Sequence, residues 1–102
     1  MNEAIDPLYN PWHPITNTVD LKHMGKLIEE LNECSSAAAR CIIQGIDQTE
    51  PTTSKVNRKW LEDEIADVLA NINLVVDRFA LNIDTKRVTG KMHRLKQWHE
   101  MA

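Results

Sequence analysis

The distribution of proline is the feature that most limits what this chain can fold into. Three of its four prolines, Pro7, Pro11 and Pro14, lie in the first fourteen residues, and only Pro51 follows. Because proline fixes φ and removes a backbone donor, residues 1–17 are predicted to form an extended arm. The rest of the chain runs for long stretches without a helix breaker. The chain beyond the arm is therefore expected to be built from helices.

Apolar residues beyond the arm recur at steps of three and four, which is the spacing of one face of a helix. The first predicted helix runs from Asp20 to Gln44. Asn17 or Thr18 is expected to cap its start, and Gly45 is expected to end it. Its predicted inward stripe consists of Leu21, Met24, Ile28, Leu31, Ala38 and Ile42.

Two further segments have the same periodicity, and no strand-like alternation of useful length interrupts them. A second helix is predicted from about Asn57 to Leu81. A third, capped by Asp84 or Thr85, is predicted to end near Met101. The second is expected to turn inward Leu61, Ile65, Val68, Leu69, Ile72, Val75, Val76 and Phe79. The sequence therefore predicts one all-α domain over residues 1–102, a helical bundle of about three main helices.

Size and charge limit the partners of such a domain. The chain has 102 residues, 12 basic and 15 acidic, for a net charge of −3. A domain of this length buries only about 65% of its unfolded surface, so homo-oligomerisation is predicted to complete the bundle. The acidic balance disfavours nucleic acid and membrane as partners. Cys34 and Cys41 lie too far apart on one helix to form a disulfide, which favours a cytoplasmic setting.

Two pairs of acids at helical spacing carry the functional prediction. Glu30 and Glu33 lie on the first predicted helix, and Glu64 and Asp67 lie on the second. Residues three apart are neighbours on a helix, and each pair borders an apolar stripe, so the pairs are expected to converge where the helices pack. Two carboxylates about 5 Å apart repel by about 3 kcal/mol at an effective dielectric near 20, so such a groove needs protonation, basic partners or a metal. Oxygen ligands alone favour Mg²⁺ first and Mn²⁺ second.

The same residues resemble a known signature. The segment KLIEELNE from Lys26 to Glu33, followed by EIADVL from Glu64 to Leu69, resembles the EExxE…ExxD motif of MazG-like all-α nucleoside triphosphate pyrophosphohydrolases. The resemblance implies hydrolysis between the α- and β-phosphates, giving a nucleoside monophosphate and pyrophosphate. It also implies dimers or tetramers. It assigns metal binding to Glu30, Glu33, Glu64 and Asp67.

Phosphoryl transfer depends on charge neutralisation and positioning, which carboxylate-held metal ions supply. Glu29 is the candidate catalytic residue that orients or deprotonates the attacking water, with a supporting or solvated role as its alternative. Six further residues are candidates for substrate binding, and each has a simpler structural interpretation as an ion pair, a packing contact or a solvated side chain. They are Lys26 and the third-helix Lys91 and Arg94 for phosphate, Asn71 for a base or sugar edge, and Trp12 and Trp60 for base stacking.

The sequence thus favours a Mg²⁺-dependent nucleoside triphosphate pyrophosphohydrolase. Two alternatives stay open. One is a non-catalytic helical adaptor whose acids are solvated and whose apolar face binds a partner. The other is a pyrophosphohydrolase of a biosynthetic nucleotide such as phosphoribosyl-ATP. Di-iron chemistry is disfavoured because none of the four histidines follows a glutamate by three residues.

Overall fold

A computed structural model describes residues 8–101 of the chain. It contains three helices: α1 from Thr18–Gln44, α2 from Asn57–Arg78 and α3 from Thr85–Glu100. Over this range β-pairing is limited to one isolated bridge between Thr49 and Val56. The all-α prediction is confirmed, and its helix boundaries are correct to within a few residues. Residues 8–17 are non-helical, whereas residues 1–7 of the predicted arm lie outside the described range.

The two ends of α1 are fixed by the predicted caps. The Asn17 side chain accepts hydrogen bonds from the backbone N–H groups of Val19 and Asp20, at 2.9 and 3.1 Å. Gly45 ends α1 with φ of +105°, and its N–H donates to the carbonyl of Cys41. Side-chain oxygens at a helix start satisfy donors that have no partner within the helix. Both ends of α1 are therefore specified locally.

Helices α1 and α2 pack as an antiparallel pair, called here the hairpin. At its closed end, Asn57 Nδ2 donates to Gln44 Oε1 at 3.0 Å, which joins the start of α2 to the end of α1. At its open end, Arg78 Nε lies 2.6 Å from Asp20 Oδ1, which joins the end of α2 to the start of α1. The two acid-bearing segments lie between these contacts.

The closed end contains a buried carboxylate with its own donors. Glu50 is 8% exposed, and its Oε2 accepts from the backbone N–H of Thr53 at 2.7 Å and from the Thr53 hydroxyl at 2.9 Å. The backbone hydrogen bond from Thr53 is the main reason that the pKa of Glu50 is lowered. Asn57, 1% exposed, also donates to the carbonyl of Gly45 at 3.0 Å.

The inward face of α1 differs from the prediction. Ile28, Leu31 and Ile42, all expected to be buried, are 60, 47 and 86% exposed. The face toward α2 is formed instead by buried and half-buried residues at steps of three and four: His23, Leu27, Glu30, Cys34, Ala37 and Cys41. The prediction chose the bulkier of two apolar faces. The face that packs contains small residues, which let two helices approach closely.

Helix α2 follows its prediction more closely. Val75 is buried, and Leu61, Val68, Val76 and Phe79 are half-buried. Ile65, Leu69 and Ile72 were also expected inside, but they are 44, 56 and 37% exposed. They lie on the flank of α2 rather than toward α1. Both helices of the hairpin therefore leave large apolar side chains in solvent.

Helix α3 stands apart from the hairpin. No Cα atom of α3 lies within 8 Å of a Cα atom of α1 or α2. The radius of gyration is 19.8 Å, whereas a compact chain of this length has about 13 Å. None of these helices is both long enough and apolar enough to cross a bilayer, a search that covers the described residues alone. Completion by homo-oligomerisation stays a prediction.

Candidate metal centre

Three carboxylates converge midway along the hairpin. Glu30 and Glu33 come from α1 and Glu64 from α2, and one carboxylate oxygen of each lies within 4.8 Å of the others. The structure thus brings together three of the four predicted metal ligands, called here the acidic cluster. Asp67, one turn beyond Glu64, is exposed and does not belong to this group. Its predicted role as a ligand stays a prediction.

Two oxygens of the acidic cluster are buried without a partner. Glu30 is 7% exposed; Lys26 Nζ lies 3.3 Å from its Oε1, whereas its Oε2 has no hydrogen bond. Glu64 Oε1 accepts from the indole Nε1 of Trp60 at 3.2 Å, whereas its Oε2 has none. Of the described residues, only Asn57 has another such buried atom, Oδ1. Burying a polar atom without a partner costs about 1–3 kcal/mol and more for a charged one, so a cation bound to these oxygens would remove that cost.

The electrostatics of the site reflect its excess of acids. The pKa of Glu33 is raised, chiefly by the negative charge of Glu30, then by burial and by the charge of Glu64. The pKa of Lys26 is also raised, because its ammonium donates first to Glu30 and then to Glu29. One lysine therefore serves two carboxylates, at 3.3 and 3.4 Å. The cluster retains negative charge that the nearby side chains leave uncompensated.

Trp60 holds Glu64 in place. The guanidinium carbon of Arg40 lies 4.0 Å from the centre of the Trp60 ring, and Lys55 Nζ lies 5.4 Å from it. These cation–π contacts fix the ring that donates to Glu64. The structure therefore gives Trp60 a positioning role, and a stacked base would have to share the ring with Arg40. The sequence analysis did not identify Arg40. Its contact with Trp60 joins two helices, and the spacing of residues along one helix does not show such contacts.

An open groove of about 540 Å³ adjoins the acidic cluster. Three residues predicted to act in substrate binding or catalysis line it: Lys26, Glu29 and Asn71. Asn71 is held there by a 2.8 Å hydrogen bond from its Nδ2 to the carbonyl of Asp67. The sequence analysis did not propose His23 and Leu74, which also line the groove. His23 could have been found, since it precedes Glu30 by seven residues and therefore shares its helix face.

The remaining candidates lie elsewhere in the chain. Trp12 is 76% exposed in the arm, and its backbone N–H donates to Asn10 Oδ1 at 2.9 Å. Lys91 and Arg94 are exposed on α3, which does not pack against the hairpin. Within one chain these three residues are not brought to the acidic cluster. Their roles in substrate binding stay predictions.

The donor set suits a hard divalent cation. It consists of carboxylate oxygens, and neither cysteine nor histidine belongs to the group that the described residues form. Mg²⁺ binds through a few carboxylates while keeping waters for substrate phosphates, and Mn²⁺ accepts the same ligands. Comparisons with family models, curated proteins and solved structures found no match. The functional interpretation therefore depends on the site and on the sequence signature.

Proposed function

We propose that this chain is a Mg²⁺-dependent nucleoside triphosphate pyrophosphohydrolase that releases a nucleoside monophosphate and pyrophosphate and acts as a homo-oligomer. One observation carries the proposal. Glu30 Oε2 and Glu64 Oε2 are buried without partners inside a three-carboxylate cluster. The order of these acids along the chain, which resembles the EExxE…ExxD signature, supports the choice of reaction.

Each residue of the site has a distinct part in this reaction. Glu30, Glu33 and Glu64 would hold the cation, with Asp67 as a further ligand. When bound, the cation neutralises phosphate charge and acidifies a coordinated water. Lys26 lines both the acidic cluster and the groove, so its ammonium can bind a phosphate oxygen. His23 and Asn71 can donate or accept hydrogen bonds at a base or sugar in the groove.

Glu29 is the residue proposed to activate water. It is exposed beside the acidic cluster and lines the groove, so its carboxylate can accept a proton from a water molecule there. The water oxygen bonds to the α-phosphorus, the bond from that phosphorus to the bridging oxygen breaks, and pyrophosphate leaves. In-line geometry and charge neutralisation supply most of the acceleration in such reactions.

A product assay tests the proposal directly. Purified chain is incubated with a panel of (d)NTPs and Mg²⁺, and pyrophosphate and nucleoside monophosphate are quantified by chromatography. Both are expected in equal amounts, and Glu30→Gln or Glu64→Gln should reduce the rate about 100-fold or more. Glu62→Gln is the matched control, since Glu62 is exposed on α2 outside the acidic cluster. Release of orthophosphate alone, or no turnover, would contradict the proposal.

One observation favours a second candidate, a non-catalytic adaptor. Large apolar side chains such as Leu31, Ile42 and Leu69 are exposed on the hairpin and could bind a partner helix. An adaptor has no need of a cation, so its thermal stability should not respond to Mg²⁺. Its acidic-cluster variants should also be as stable as the parent or more stable, because they relieve charge repulsion.

A further inference from the structure

Residues 18–78 carry seven basic side chains, and three of them form no ion pair with any described residue. These three are Lys22, Arg40 and Lys55. Two of them lie together at the closed end: the guanidinium carbon of Arg40 is 4.0 Å from the centre of the Trp60 ring, and Lys55 Nζ is 5.4 Å from it. Arg40 and Lys55 are called here the basic pair.

The contact with Trp60 leaves the hydrogen-bonding capacity of Arg40 unused. A cation–π contact is made by the charge of the guanidinium and requires no N–H group. All five N–H donors therefore stay available, and within residues 8–101 no oxygen accepts from them. Arg40 is half-buried and Lys55 is exposed, so both can be reached from solvent. Two neighbouring cations without a carboxylate would be stabilised by a bound anion.

Only the Trp60 ring separates the basic pair from the acidic cluster. The indole N–H donates to Glu64 at 3.2 Å, while Arg40 lies over the ring. On α1, Arg40 follows Glu33 by seven residues, which is about two turns or 10 Å and keeps the two side chains on the same helix face. The basic pair thus lies one indole ring beyond the proposed metal ligands, toward the closed end.

The groove lies beyond the acidic cluster in the other direction, toward the open end. Lys26 precedes Glu33 by seven residues on α1, and Asn71 follows Glu64 by seven on α2, so both share the face of their helix that carries the acids. Apolar side chains of Val19 and Leu74 also line the groove. The groove, the acidic cluster and the basic pair therefore follow one another along one side of the hairpin.

This order matches the parts of a nucleotide, and the unpaired cations decide its direction. An apolar groove with a few polar groups suits a base, whereas the phosphates require positive charge. In the groove, Lys26 already serves two carboxylates, which leaves Lys22 as the unpaired cation there. The closed end has two unpaired cations, so a phosphate tail is stabilised more at that end.

We propose that Arg40 and Lys55 bind the β- and γ-phosphates of the substrate, so that the nucleotide lies with its base in the groove and its phosphate tail toward the closed end. This inference rests on the proposed function. As the bond from the α-phosphorus to the bridging oxygen breaks, negative charge develops on the departing pyrophosphate, which lies against the basic pair. A nucleoside monophosphate lacks both outer phosphates, so the basic pair selects for triphosphates.

Calorimetric titration of the full chain with inorganic pyrophosphate at saturating Mg²⁺ tests the proposal without turnover. Lys55→Gln should raise the dissociation constant about 10-fold, and Arg40→Gln should raise it further because arginine can bind phosphate through two N–H groups. Lys22→Gln, which removes the unpaired cation of the groove, is the matched control and should bind pyrophosphate like the parent. Lys55→Gln should bind Mg²⁺ alone as tightly as the parent, which verifies that its acidic cluster is intact.

Two results of this titration would overturn the proposal. One is a parent chain that does not bind pyrophosphate. The other is weakened binding in Lys22→Gln but not in Lys55→Gln, which would place the phosphate tail at the open end.

Nucleotide hydrolysis distinguishes this inference from the proposed function on which it rests. Lys55→Gln should raise the KM for a triphosphate about 10-fold, with no change in the inhibition constant of the nucleoside monophosphate product. Turnover with the KM of the parent would overturn the role of the basic pair and leave the proposed function intact. Pyrophosphate binding that depends on Lys55, without nucleotide turnover, would contradict the proposed function but support the anion site.

Discussion

Two glutamates of the hairpin region are buried to nearly the same extent, but their hydrogen-bonding environments differ. Glu50 at the closed end is 8% exposed, and Glu30 in the acidic cluster is 7% exposed. Glu50 accepts two hydrogen bonds from Thr53, and its pKa is lowered. Glu30 has one lysine on one oxygen, nothing on the other, and a further carboxylate from each helix nearby.

The difference separates an acid whose charge is stabilised by local donors from one that keeps a buried oxygen without a partner. The backbone and side-chain donors of a local turn stabilise the charge of Glu50. In the acidic cluster, Lys26 and the Trp60 indole reach one oxygen each of Glu30 and Glu64, and the charge of Glu30 is the main reason that the pKa of Glu33 is raised. Burial alone therefore does not identify a binding site. The informative observation is a buried charge without enough donors.

The largest expected effect concerns the closed end. Asn57→Leu should lower the free energy of unfolding by about 2–3 kcal/mol, because it removes the buried Nδ2 group that donates to the Gln44 side-chain oxygen and to the Gly45 carbonyl. Urea denaturation followed by circular dichroism measures the change. Asn73→Leu, an exposed position on the same helix, is the control. A loss below about 0.5 kcal/mol, typical of a surface substitution, would mean that the closed end does not depend on this residue.

The response to Mg²⁺ should separate the two glutamate environments. At ten times its dissociation constant, a cation that binds only the folded chain adds about 1.4 kcal/mol, or roughly 5–10 °C in melting temperature. Glu64→Gln should abolish this rise, whereas Glu50→Gln should retain it because Glu50 lies outside the acidic cluster. Differential scanning fluorimetry with and without Mg²⁺ provides the measurement. Equal responses from both variants would show that the acidic cluster is not the cation site.

A smaller loss is expected from the residue that positions Glu64. Trp60→Phe keeps an aromatic ring beside Arg40 but removes the N–H that Glu64 accepts, so stability should fall by about 1 kcal/mol. The apparent dissociation constant for Mg²⁺, measured by calorimetry, should also rise. Trp12→Phe in the arm should change neither quantity. If Trp60→Phe binds Mg²⁺ as tightly as the parent, the Trp60 N–H does not position Glu64 for the cation, and the ring serves only in packing.

The lowered pKa of Glu50 predicts a small effect in acid. Its ionised form is favoured in the folded chain, so its contribution to stability is fully present above the ordinary value of 4.5 and is lost as the pH falls through its lower folded pKa. In Glu50→Gln, the free energy of unfolding should therefore fall less steeply than in the parent as the pH decreases below 4.5. Urea midpoints measured across the acidic range would reveal it. Parallel curves for parent and variant would contradict the prediction.

The smallest expected effect is a change in the pKa of Glu33. Its pKa is raised above 4.5 chiefly by Glu30, so Glu30→Gln should move it back toward that value. Because the folded chain then holds the Glu33 proton less tightly, ionisation of Glu33 should destabilise the fold less as the pH rises. Carbon-13 NMR titration of the glutamate carboxyl groups follows this directly. If the pKa of Glu33 is the same in Glu30→Gln as in the parent, Glu30 is not the group that raises it.

The sequence was sufficient to predict three helices, both caps of α1, the N-cap of α3 and the meeting of acids from α1 and α2. It was insufficient to predict which side of α1 packs, since two faces share the same spacing. Ile28 and Leu31 were predicted to face inward from their spacing, yet Cys34 and Ala37 form the contact. The error also concealed how deeply Glu30 is buried. It was expected beside the packing face and in fact lies within it.

Two other features depend on contacts that spacing does not reveal. The ring of Trp60 is held by Arg40 from the opposite helix, a pairing that only the antiparallel register creates. The separation of α3 depends on the left-handed residue Ala80, a conformation that alanine rarely adopts and that its identity does not signal. Such details arise from tertiary geometry rather than from local preference.

The sharing of Lys26 between two carboxylates couples the two ligands of the proposed enzyme. Its ammonium lies 3.3 Å from Glu30 and 3.4 Å from Glu29, and one of its three N–H donors remains for a phosphate oxygen. A nucleotide phosphate bound there would share the positive charge that serves the two carboxylates, which would increase their attraction for Mg²⁺. By thermodynamic reciprocity, bound Mg²⁺ would leave more of that charge for the nucleotide, so each ligand would tighten the binding of the other.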